Sequence, residues 1–99
     1  MTKCYIAGKI SGIPLQRAKD KFFAAELEVD NLKYQPVNPL NLPHRHDKKW
    51  ASYMKECIAA LTECDLIYML VGWGESEGAK LEFDLANKLG ITILYQDKN

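Results

Sequence analysis

The sequence predicts an α/β domain built on an open parallel sheet of about four strands with helices on both faces. Three observations predict it. Short apolar runs alternate with amphipathic helical patterns in the order β-α-β-α-β-α-β, which suits parallel strands joined by right-handed crossovers. The third apolar run, Asp65 to Val71, is nearly continuous, as a strand covered on both faces is. Glycine-rich loops follow the first and third runs, at the end of an open parallel sheet where ligands bind.

Each element has its own local reason. Cys4-Tyr5-Ile6-Ala7 is a strand ended by Gly8, and Gly12-Ile13-Pro14 makes a tight turn with proline near the first turn of a helix. From Leu15 to about Asn31, Ala18, Phe22, Ala25 and Val29 recur at helical spacing, with Lys19, Asp20, Lys21, Glu26 and Glu28 between them. Tyr34 to Val37 is a second strand, which Pro39 and Pro43 prevent from continuing. Asp47 is the expected N-cap of a second helix whose apolar stripe is Trp50, Met54, Cys57, Ile58 and Leu61. After the third strand, Gly72-Trp73-Gly74-Glu75 reads as a loop and Ser76 as an N-cap. Glu77 to Leu89 is the third helix, closed by Gly90, and Ile91 to Tyr95 is the last strand.

Ninety-nine residues make one domain, 1–99, with no internal repeat or linker. Lys+Arg and Asp+Glu number 13 each, and this neutral balance argues against a nucleic-acid polymer as partner. Cys4, Cys57 and Cys64 form no CxxC pair and read as free thiols of a reducing compartment. Only four uncharged residues lie between Lys3 and Gly8-Lys9, too few for the apolar core of a secretory signal. The uncharged apolar run Leu66 to Gly74 falls far short of the roughly 20 residues a membrane helix needs. The expectation is a cytoplasmic protein with no membrane partner.

Two segments meet at the ligand end of such a sheet: Gly8-Lys9-Ile10-Ser11-Gly12 and Gly72 to Gly78. Both lead into helices, whose free N–H groups and positive dipole ends favour anions. The same glycines also serve tight turns, and at this level both readings stand. Glu82 is more informative. On the third helix Leu81, Leu85, Leu89, Ala86, Ala79 and Phe83 cover one arc, and Glu82 falls near its middle. A carboxylate there is either a buried glutamate satisfied by a tyrosine hydroxyl or backbone N–H groups, or a nucleophile or general base aimed into a cleft. Tyr5 is placed to hydrogen-bond Glu82 or simply to fill the core. Trp73 is either a platform for a planar base or a packed loop anchor. His44, Arg45 and His46 read as a solvated loop without the partners of a metal site, and Cys57 as a small apolar member of its helix stripe. No cofactor is implied.

Cys4 to Gly12, Cys64 to Leu70 and Ser76 to Ala86 together resemble the nucleoside 2-deoxyribosyltransferase superfamily, most closely its short branch of uncharacterised, often phage-associated domains. The resemblance spans nearly the whole chain; its pieces are specific in combination and order. It implies a flavodoxin-like three-layer sheet and cleavage or transfer of the N-glycosidic bond of deoxynucleosides or their 5′-monophosphates. It also implies that Glu82 is the nucleophile, that Tyr5 orients it, that Gly8 to Gly12 form the first binding loop, and that Ser76, near Gly78, contacts phosphate. Members of the superfamily are commonly homo-oligomeric, with neighbours completing the site. One position departs: where active members carry an aspartate that assists the leaving base, this chain has Cys57. Glu56 is adjacent, but points about 100° away on the helix. A non-catalytic nucleotide-binding or sensor module is therefore the alternative expectation.

Overall fold

The computed structural model describes residues 1–44, 47 and 49–96. Four parallel strands, β1 (Lys3–Ala7), β2 (Gln35–Val37), β3 (Leu66–Met69) and β4 (Thr92–Tyr95), form one sheet in the order β2-β1-β3-β4. Three helices connect them: α1 (Leu15–Asn31), α2 (Trp50–Thr62) and α3 (Glu77–Lys88). The result is the expected three-layer α/β arrangement of flavodoxin-like type. The chain leaves β1 towards β2 on one side and later returns to β3 on the other. The crevice between the ends of β1 and β3 is therefore the switch point of the topology.

Strand alternation divides the interior into two layers. Cys4 and Ile6 face α1 and pack with Phe22, Ala25 and Val29, while Tyr5 and Ala7 face α2 and α3 and pack with Cys57, Leu61, Ala79 and Ala86. All four residues of β3 are buried, because that strand is paired on both edges and covered on both faces. Pro36 sits in β2, an edge strand, where a missing N–H costs no ladder bond. Gly8 is required where β1 ends: a Cβ there would lie 2.9 Å from Leu70 Cδ1. Gly12 turns the chain towards α1 with φ +85°, a conformation that glycine adopts without steric cost.

Several boundaries differ from the sequence reading, each for a local reason. Tyr34 stays outside β2 because its N–H donates to Val29 O at 3.3 Å, part of the turn that ends α1. The third strand is shorter than Asp65–Val71; beyond Leu70, the Val71 N–H turns to the Gln96 side chain at 2.8 Å. Asp47 does not cap α2. Its carboxylate accepts from Lys49 N at 3.0 Å, Lys49 is the N-cap, and the helix starts at Trp50. Trp50, at the outer end of the stripe, is 53% exposed rather than buried. The loop after β3 contains a short 3-10 turn, Trp73–Glu75. On α3 the buried face is Ala79, Glu82 and Ala86, whereas Leu81 and Leu89 are exposed, so Glu82 occupies the middle of a narrower stripe than its neighbours' hydrophobicity suggests.

Candidate functional site

A cleft of about 930 Å³ opens over the switch point. Its floor is built from two residues far apart in sequence. Tyr5 points from β1 towards α3, fully buried, and its hydroxyl donates to Glu82 Oε2 at 2.5 Å. Glu82 reaches this position because alanines one turn to either side, Ala79 and Ala86, let α3 lie close to the sheet, which makes it the long side chain of the buried stripe. Burial raises the Glu82 pKa to about 7, against the opposing effect of the Tyr5 hydrogen bond. Burial and then the Glu82 charge push the Tyr5 phenol far above its ordinary value, so it remains a donor throughout the neutral range. Such a pair combines a carboxylate that changes charge near neutrality with a fixed donor holding one of its oxygens. Chemically it is suited to nucleophilic or general-base work on a bound molecule.

One wall comes from the first loop, where Gly8, Lys9, Ile10 and Ser11 line the cleft; Gly12 makes the turn one residue beyond and does not. Lys19 of α1 adds a second positive charge on this side. Nearby Lys21 has its pKa lowered by burial and then by the charge of Lys9. A second wall is the start of α3, where Ser76 and Gly78 line the cleft together with Glu75 and Glu77. The Ser76 hydroxyl accepts from Ala79 N at 3.1 Å, the N-cap bond expected from sequence.

Trp73 takes its alternative reading as an anchor. Its ring stacks on Phe83 with centroids 4.6 Å apart, and it does not line the cleft. The third wall, from the β2–α2 connection and α2, was not foreseen. It presents Pro39, Leu40, His44, Trp50, Tyr53, Met54 and Cys57. His44 is no solvated loop residue. Its ring stacks on Tyr53 at 4.7 Å, Nδ1 lies 3.1 Å from Glu56 Oε1, and Nε2 lies 2.7 Å from the Pro39 carbonyl, which can only accept. Glu56 also accepts from the His44 backbone N–H at 2.9 Å. This explains where Glu56 turns instead of towards the floor. Arg45 and His46 lie outside the described residues. The spacing Trp50, Tyr53, Met54, Cys57 was a usable signal for this wall, since it is one helical stripe. What sequence alone lacked was the direction in which the stripe faces.

Cys57 is buried beside the floor, packed in one cluster with Tyr5 and Tyr53. Burial raises its pKa to about 11, with those two hydroxyls opposing, so the thiol is neutral. Burial and then the neighbouring Cys57 likewise raise the Tyr53 phenol. Among the described residues no group of three His, Cys, Asp or Glu side chains is placed to hold a metal ion. No helix among them is long and apolar enough to cross a membrane.

Residues 2–95 match the family model described as Domain of unknown function (DUF4406), and the chain belongs to that family. No curated protein matches the chain.

Proposed function

We propose that this member of the family binds a (deoxy)nucleoside or its 5′-monophosphate in the cleft and cleaves or transfers the N-glycosidic bond, with Glu82 as nucleophile. The observation that carries this reading is the buried Tyr5–Glu82 pair on the cleft floor, with a carboxyl pKa of about 7. Tyr5 holds Oε2, and Oε1 attacks the anomeric carbon. The electron pair of the C–N bond leaves with the base, which takes its proton from water, and a deoxyribosyl ester of Glu82 remains. Water or a second base then displaces the carboxylate, giving hydrolysis or transfer. The resemblance of Cys4–Gly12 and Ser76–Ala86 to the nucleoside 2-deoxyribosyltransferase superfamily supports the same assignment. Lys9, Lys19, Ser11 and the Ser76 end of α3 favour a 5′-phosphate at the loop end.

The second reading, a binding module without turnover, is favoured by Cys57. Its neutral thiol stands where the superfamily pattern has an aspartate for the leaving base. The test is incubation with each deoxynucleoside 5′-monophosphate and chromatography for free base. Base release that rises with pH through about 7 supports the enzyme, because Glu82 must be ionised to attack. Binding of all four without release would leave only the module. Cys57→Asp is expected to increase release about 10²-fold or more, the usual contribution of a positioned acid; an unchanged rate refutes the role given to this position.

A further inference from the structure

We propose that Trp50 is the stacking platform for the base of the bound nucleotide; this deepens, and rests on, the proposed nucleotide cleft. Trp50 is the first residue of α2 and 53% exposed, and the residues three, four and seven positions on, Tyr53, Met54 and Cys57, line the same cleft. The stripe thus runs from the buried Cys57 beside Glu82 outward to an indole at the mouth. Of the exposed large apolar residues described, only Leu15, at the start of α1, and Trp50 line the cleft. Its lysines, Lys9 and Lys19, are carried by the first loop and α1, its carboxylates Glu75 and Glu77 by the start of α3, and on the α2 side the polar His44 ring is held by Glu56 and the Pro39 carbonyl.

That division of chemistry selects the ligand. A molecule lying across Glu82 needs a polar or anionic end for the loops and a flat, weakly polar end for the α2 wall. A nucleobase has the required face, since every base offers a π surface to an aromatic side chain and an indole is a large partner for it. A sugar phosphate alone lacks it. Trp73, the other tryptophan of the chain, has its ring already covered by Phe83 and lies outside the cleft. The two indoles therefore play different parts: one is a packed anchor and the other a ligand surface.

The test uses the full chain carrying Glu82→Gln, so that no turnover occurs during titration, and Trp73→Phe, so that indole emission reports Trp50 alone. The four deoxynucleoside 5′-monophosphates are expected to change that emission, and 2-deoxyribose 5-phosphate is not. By calorimetry, Trp50→Ala should weaken the monophosphates about ten-fold or more, as removal of a stacking partner does, and leave 2-deoxyribose 5-phosphate binding unchanged. Trp50→Phe should retain most of the affinity. Monophosphate binding that is indifferent to Trp50→Ala, or weakened equally with the sugar phosphate, overturns the platform while leaving the nucleotide cleft standing. So does a Trp50→Ala change in oligomeric mass without a change in affinity, since a second copy would then be what covers the indole. Failure of every monophosphate and every nucleoside to bind overturns the nucleotide cleft itself, and the platform with it.

Discussion

The two faces of the sheet are made from the same strands and are buried to the same depth, yet they hold different chemistry. On the α1 face, Cys4 and Ile6 of β1 meet Phe22, Ala25 and Val29, and the layer is apolar except at its margin, where the Tyr68 hydroxyl donates to Glu28. On the α2–α3 face, Tyr5 of the same strand meets Glu82 and Cys57, and the layer ends in a cleft. The first face stabilises by removing apolar area from water and by close packing. The second gives up part of that stabilisation to hold a carboxyl group where burial disfavours its charge. Adjacent residues of a five-residue strand thus serve stability and chemistry separately, because successive side chains point to opposite faces.

Substitutions that act on one face and spare the other sharpen this contrast. The largest expected effect is on the chemical face: Glu82→Gln should lower base release by at least about 10³-fold, as loss of a nucleophile does, with the fold intact by circular dichroism. Full activity in this variant would remove the contrast altogether. On the structural face, Phe22→Ala should cost about 3–5 kcal/mol in urea unfolding, the usual price of a fully buried aromatic side chain. Whatever fraction remains folded should bind nucleotide with unchanged affinity.

A third prediction links the two faces through pH. The Glu82 pKa in the folded chain is about 7 against an ordinary 4.5, so between these values the folded state keeps a proton that the unfolded chain has lost. Stability therefore falls as pH rises through this window, and above it the penalty is fully present, on the order of 3 kcal/mol. Glu82→Gln should flatten that dependence and be the more stable protein at pH 8, measured by urea midpoints at pH 5 and pH 8. Equal pH dependence in both proteins would show that Glu82 is not the group responsible. The smallest effect belongs to Tyr5→Phe. It removes the donor that opposes the rise in the Glu82 pKa, so the pH–rate midpoint should move upward, with about ten-fold less base release below pH 7. An unmoved midpoint would reduce Tyr5 to a packing residue.

Much of this was legible in the chain. Ala18, Phe22, Ala25 and Val29 announce the buried face of α1 by spacing alone, and all four are buried. Glu82 was visible as a carboxylate among residues destined for a core, although Leu81 and Leu89, counted with that core, are exposed. The third wall was not legible. His44 lies in a loop held by Glu56 and Pro39, contacts that no periodicity encodes. The two tryptophans show the same limit. Both flank segments near the ligand end, and nothing local distinguishes Trp73, which stacks on Phe83, from Trp50, which faces the cleft.

The sequence by itself determined the elements, their order and the parallel α/β class, because backbone sterics and the periods of burial act over a few residues. The tertiary structure alone decided which side chains share a site. Tyr5 and Glu82 stand 77 positions apart and meet only because β1 and α3 pack on one face of the sheet. Their meeting is also what sets the carboxyl group's charge near neutrality, since the raised pKa comes from desolvation and a single hydrogen bond, both products of packing.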